Sequence, residues 1–125
     1  MKKLTEREEE LMEIIWNKGP MFVREIIEEL PEPKPHFNTV STFVRLLESK
    51  GFVTHTKFGS SYRYEAAVSR DDFSRSTLKD VVDRYFGSSL KASVSALFHE
   101  ENLSDDELRS LIETVINQRK ESKNQ

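Results

Sequence analysis

HFNTVSTFVRLLESKG, residues 36–51, reads as one helix with two different faces. At about 3.6 residues per turn, Val40, Phe43, Val44 and Leu47 fall on one side, and Asn38, Ser41, Thr42, Arg45 and Ser49 fall on the other. Leu46 is the one misfit, off the apolar stripe. The apolar side needs a core. The polar side carries short or forked hydrogen-bonding groups that suit the major groove, where Arg pairs with guanine, Asn with adenine, and hydroxyls with bases or phosphates. Polar faces on surface helices are ordinary, so the helix alone is as consistent with a solvated face. Its neighbours decide between the two.

Upstream, Thr5 and Glu8 have the spacing of a capping box and open a helix with Leu11, Ile14, Ile15 and Trp16 as its apolar side; Asn17, Gly19 and Pro20 end it. A shorter helix follows at residues 23–30, with Val23, Ile26, Ile27 and Leu30 at i, i+3, i+4 and i+7. PEPKP, residues 31–35, cannot continue a helix, because proline lacks the amide donor and restricts the residue before it. It is a stiff linker that aims the next helix. Downstream of Gly51, FVTHTKF and SYRYEA flank Gly59 and Ser60 and are rich in β-branched and aromatic residues, which predicts a β-hairpin.

Two short helices, a reading helix and a hairpin, in that order, spell a winged helix-turn-helix, whose third helix enters the major groove while the wing lies along the backbone. Lys57 and Arg63, beside Ser60, Ser61 and Tyr62, are then candidate phosphate contacts.

The remainder predicts three more helices. Ser69 and Asp72 give a second capping spacing, with Val68 and Phe73 as its hydrophobic staple. The helix they open carries Leu78, Val81, Val82 and Tyr85, with Phe86 alongside, and stops at Gly87. The next, starting after Ser88 or Ser89, carries Leu90, Val94, Leu97 and Phe98. The last opens at Ser104 with Glu107, staples Leu103 to Leu108, and buries Leu108, Leu111, Ile112 and Val115; the tail after Gln118 is expected to fray. Some 50 residues enclose little core alone, yet each helix has an apolar stripe. That surface has to meet another, and a second copy of the chain is the better candidate, since DNA-binding modules of this kind pair to reach successive grooves. The expected architecture is mainly α: a winged helix-turn-helix over residues 1–68 and a three-helix dimerisation domain over residues 69–125.

Composition bounds the function. The chain has 125 residues, 36% of them hydrophobic and 33% charged, and a formal charge of −3. Residues 1–30 hold 5 basic and 8 acidic side chains, residues 31–70 hold 6 and 3, and residues 71–125 hold 8 and 11, so the one positive segment surrounds the reading helix. A basic middle between acidic ends suits a protein that touches phosphate with one face. There is no cysteine, hence no disulfide or thiolate metal site, and the histidines at 36, 55 and 99 are scattered. The opening MKKLTEREEELM has no apolar signal region, and no run approaches the roughly 18 apolar residues of a membrane span, so a cytoplasmic location is expected. An enzyme needs a nucleophile with a base, a metal set or a phosphate loop; none stands at usable spacing, and no cofactor is expected. Asp71 and Asp72, and Asp105 and Asp106, sit in first helical turns, where the macrodipole favours negative charge. The competing reading is a winged-helix module that binds protein instead of DNA.

LTEREEELMEIIW, NTVSTFVRLLESKGFVTHTKFGSSYRYEA and ENLSDDELRSLIE together resemble the penicillinase-repressor family, the BlaI/MecI/CopY type of bacterial transcriptional repressor, over about residues 4–118. The resemblance implies an N-terminal winged helix on operator DNA, a C-terminal three-helix domain that intertwines with its twin, and repression by occupying a pseudo-palindromic promoter site. It implies Asn38, Thr39, Ser41, Thr42 and Arg45 as DNA-facing residues and Lys57 to Arg63 as the wing tip. Phe37 stands where the family has a proline, and His36 falls at the N-cap position. In the antibiotic-responsive members, a membrane-bound metalloprotease system cuts an Asn-Phe bond in the dimerisation domain; the matching pair here is Ala96 and Leu97. That cleavage specificity and a β-lactam response are therefore not carried over, and any inactivating protease or sensor is unknown. Copper-responsive members carry a cysteine metal motif, which this chain lacks.

Overall fold

Helix α1, Glu6–Lys18, begins where its capping box predicts: the Thr5 hydroxyl accepts from the Glu8 amide at 3.3 Å, and the Glu8 carboxylate accepts from the Thr5 amide at 3.0 Å. The computed structural model describes residues 1–123. A two-residue strand, β1 (Met21–Phe22), leads into α2, Val23–Glu29, whose Glu25 carboxylate accepts from the Phe22 amide at 2.9 Å. Residues 31–35 stop α2, and Lys34 folds back so that its ammonium donates to the carbonyls of Glu28 and Leu30, which the helix end leaves without partners. Helix α3, Phe37–Ser49, is capped by His36, whose Nδ1 accepts from the Asn38 amide at 3.1 Å.

Strands β2, Val53–Phe58, and β3, Ser61–Ala66, form the predicted hairpin in a register running from Val53 opposite Ala66 to Phe58 opposite Ser61. Gly59 takes a φ of +61° at the first position of the two-residue turn, which few side chains tolerate and which matches the twist of the strands. β1 was not anticipated. It pairs antiparallel with β3, Met21 opposite Tyr64, and gives a three-stranded sheet of order β1-β3-β2.

The core gathers Leu11, Met12 and Ile15 from α1, Ile26 from α2, Val40, Val44 and Leu47 from α3, and Phe52, Val53 and Tyr64 from the hairpin and its approach. Phe52, just before β2, is fully buried and stacks edge-on against Phe73. Glu8 is the buried charge, 2% exposed; the Lys50 ammonium reaches it at 2.7 Å and the Lys3 carbonyl at 3.2 Å, tying the end of α3 to the start of α1. Burial pushes the Glu8 carboxyl up, but hydrogen bonds from Lys50 and Thr5 and the Lys50 charge outweigh it and hold the group below its ordinary 4.5.

Helices α4, Arg70–Tyr85, α5, Leu90–Glu101, and α6, Asp105–Lys123, follow, with Ser69, Ser89 and Ser104 accepting from the amides of Asp72, Ala92 and Glu107. α6 continues past the end expected at Gln118, through helix-forming residues with Lys120 and Lys123 at its negative end; of the tail expected to fray, Asn124 and Gln125 lie outside the described residues. The chain divides into two compact units at Leu78 and Lys79, ten residues beyond the expected 68/69 boundary. The reason lies in the start of α4. The Trp16 indole donates to the Val68 carbonyl at 2.9 Å, Arg70 pairs with Glu13 at 2.8 Å, and Phe73 packs against both Trp16 and Phe52.

Candidate nucleic-acid interface

Burial divides α3 as its periodicity predicts: Val40, Val44 and Leu47 are enclosed, whereas Asn38, Thr39, Thr42 and Arg45 are exposed and Ser41 is half-buried on the shoulder toward the hairpin. The misfit Leu46 is exposed. Two polar groups are partly satisfied within the helix: the Thr42 hydroxyl donates to the Asn38 carbonyl at 2.9 Å, and Arg45 Nε donates to the Ser41 carbonyl at 3.3 Å. Among the described residues the terminal guanidinium nitrogens of Arg45 make no hydrogen bond, so its bidentate edge remains available.

An open cleft of about 830 Å³ lies between the start of α2, the shoulder of α3 and the hairpin. It brings together Asn38, Ser41 and Arg45 from the reading helix with Ser60 and Tyr62 from the wing. Thr39, Thr42, Lys57 and Arg63 do not line it. The hairpin's register sorts the wing residues by face. Successive side chains alternate faces, so His55, Lys57, Tyr62 and Tyr64 share one face of the hairpin, and Phe58 and Arg63 share the other. Arg63 lies with its guanidinium 4.6 Å from the Phe58 ring centre, half-buried. The wing residues named from sequence thus divide into two sets.

Arg24 and Phe37 also line the cleft and were missed. Arg24 carried a usable signal, a cation on the polar face of α2 directly before the reading helix. The contact between α3 and the hairpin was missed as well: Glu48 meets Nδ1 of His55, whose ring lies 4.5 Å from Tyr62 and 5.7 Å from Tyr64 between centres. Burial pushes the Tyr64 hydroxyl up, the Glu48 carboxylate adds to this, and Arg45 partly offsets it. Among the described residues no group of His, Cys, Asp and Glu is arranged to hold a metal ion, and no helix is long and apolar enough to cross a membrane.

The predicted pairing residues behave differently from a core. Leu78, Val81, Tyr85, Leu90, Val94 and Leu97 are exposed, and so are Leu111, Ile112 and Val115, which the sequence reading expected to be buried. Val82, Phe86, Phe98 and Leu108 are half-buried. Ile116, one helical turn beyond Ile112, joins the same exposed stripe and was missed.

The penicillinase repressor family model matches residues 4–117. The methicillin resistance regulatory protein MecI of Staphylococcus aureus is 28% identical over 110 residues, covering 87% of this chain and 89% of that protein. The penicillinase repressor of Bacillus licheniformis is 24% identical over 114 residues, 90% of this chain and 89% of its own. Among solved structures, the DNA-binding domain of the repressor BlaI matches 58% of this chain and 93% of that domain, with a TM-score of 0.50 and 29% identity. With the family model matching almost the whole chain, the chain belongs to the penicillinase repressor family.

Proposed function

We propose that the protein is a dimeric transcriptional repressor that occupies a pseudo-palindromic operator, with α3 in the major groove and the hairpin along the adjacent backbone. The observation that carries this reading is the shared cleft: Asn38, Ser41 and Arg45 on α3 open onto the same surface as Ser60 and Tyr62 at the wing tip. One element offers groups that discriminate base edges, the other offers groups that hold a backbone in register. Thr39 and Thr42 extend the reading face, and Lys57 stands beside Tyr62 as a cation for phosphate. Family membership supports the repressor role. Pairing with a second copy is supported by the exposed stripes on α4, α5 and α6, which a homodimer would cover. Ala96 and Leu97 stand where the antibiotic-responsive members carry their cleavage pair, so cleavage of that specificity is not part of this reading.

The test is a pull-down of genomic fragments by the purified protein at two salt concentrations, with sequencing of what stays bound. A shared inverted repeat that survives moderate salt is the expected result. Loss of all binding at moderate salt, with no enriched sequence, would favour a module that binds protein, because phosphate contacts alone give steeply salt-dependent, unspecific affinity.

A further inference from the structure

Phe37 opens the reading helix, and the packing of the fold does not account for it. His36 already caps α3 by accepting from the Asn38 amide, phenylalanine is a middling helix former, and the ring is not one of the core side chains. It stays 45% exposed, on the flank of α3 that carries Ser41 one turn later. A single exposed apolar residue is ordinary on a protein surface. This one is set apart by its company. The ring lines the cleft that Asn38, Ser41 and Arg45 share with the wing, and Arg24, exposed on the first turn of α2, lines it too. Among the described residues the Arg24 guanidinium makes no hydrogen bond or ion pair. Glu25, acidic and on the same wall, accepts from the Phe22 amide. An apolar ring thus shares one concave surface with two arginines and the base-reading side chains.

We propose that Phe37 is a specificity-determining residue of this interface, its ring meeting the 5-methyl group of a thymine in each half-site of the operator. The inference rests on the reading of the protein as a DNA-binding repressor. In a helix-turn-helix the N-terminal residues of the recognition helix reach the base edges, and Phe37 is the first residue of α3. Of the unmodified bases only thymine presents an apolar group in the major groove, and phenylalanine is among the side chains that meet it. Asn38 and Arg45 sort hydrogen-bond donors from acceptors, and neither senses a methyl group. The ring adds that distinction. Thr39 and Thr42 also carry methyl groups, but they do not line the cleft. Arg24 and Arg45 give the surroundings of the ring the positive charge that a site beside phosphates needs, and an apolar peptide would gain nothing from it. Closing ring against methyl removes both from water, so the contact favours thymine without a hydrogen bond.

The experiment takes the duplex bearing the inverted repeat recovered from the genomic pull-down and replaces its thymines by deoxyuridine, one position at a time and in both half-sites together. The exchange removes the methyl group and leaves base pairing and every hydrogen-bonding group in place. Wild type should lose roughly fourfold in affinity per half-site at one position, the worth of one buried methyl-sized group. Phe37→Ala should bind the thymine duplex more weakly and show no further loss at that position. Phe37→Leu, which keeps an apolar contact, should retain part of the loss, and Arg45→Ala should bind more weakly yet retain all of it. The ring lies outside the core, so thermal unfolding of Phe37→Ala should match wild type; the scan of wild type stands without the variants. Wild type that binds the repeat tightly and is indifferent to deoxyuridine at every position overturns the proposal and leaves the repressor reading intact. A loss that persists undiminished in Phe37→Ala also overturns it, the methyl then being read by another group such as Thr42. If no repeat is recovered and no duplex is bound, the repressor reading fails and the proposal with it.

Discussion

The two units of this chain carry the same sequence signal and put it to different use. From Leu4 to Tyr64 the apolar stripes close on one another, and the winged-helix unit encloses a core around Phe52, Leu11 and Leu47. Beyond Lys79, among the described residues, stripes equally clear in sequence enclose nothing, and Leu90, Ile112 and Val115 stay more than half exposed. Periodicity identifies which face of a helix is apolar; it does not say whose surface covers that face. A unit that closes its own core, joined to helices whose apolar stripes stay uncovered in the single chain, is what the proposed division between DNA reading and pairing requires.

The sharpest way to break that contrast is to open the closed core. Phe52→Ala removes a fully buried ring packed against Phe73 and should destabilise the winged-helix unit by about 3–5 kcal/mol, read by urea unfolding, with no dependence on protein concentration. A loss below about 1 kcal/mol would mean that the core is not built around this residue. In the second unit the converse holds. Ile112→Asp places a charge at a position 53% exposed in the single chain, so the chain should still fold, while an apolar dimer interface should weaken by about 3 kcal/mol. An unchanged dimer in sedimentation velocity would remove Ile112 from the interface.

A smaller effect is expected at the tie between α1 and α3. Lys50→Met leaves Glu8 buried with no counter-charge and should cost about 2 kcal/mol at neutral pH, the partial exposure of Lys50 moderating the loss. The pH dependence fixes the sign. In wild type the Glu8 carboxyl is held below 4.5, so its contribution is present above that value and is lost as pH falls through the folded-state value. In Lys50→Met the hydrogen bond and charge of Lys50 are gone while burial and the Thr5 hydrogen bonds remain, so the carboxyl rises relative to wild type and less of this stability is present at neutral pH. The two proteins should therefore converge in acid, and a gap that widens there would contradict the pairing. On the reading face, Arg45→Ala should weaken binding to the recovered inverted repeat by about 1–3 kcal/mol while leaving stability unchanged. Equal affinity for the two proteins would take Arg45 off the base-reading surface.

Most of the fold was legible because its signals are local. Thr5 with Glu8, Ser69 with Asp72 and Ser104 with Glu107 set helix starts within four residues, and the alternation around Gly59 set the hairpin. The misses are contacts between distant residues. Glu8 and Lys50 stand 42 positions apart, and nothing near either announces the other. β1 has two residues and exists only because β3 offers it an edge, so it leaves no period to read. Phe73 was read as half of a local staple, yet its packing against Trp16 and Phe52 moves the unit boundary to Leu78. At the candidate interface the reading stripe of α3 followed from periodicity. The division of Lys57 and Arg63 between hairpin faces needed the register, and Arg24 and the Glu48–His55 contact needed the packing of one element on another.

The most direct test of the account is the mass of the complex. Sedimentation equilibrium of the full chain, alone and with a duplex bearing the recovered inverted repeat, should give a dimer without DNA and two chains on each duplex. A monomer that binds one to a duplex, leaving the stripes of α4, α5 and α6 uncovered, would contradict it.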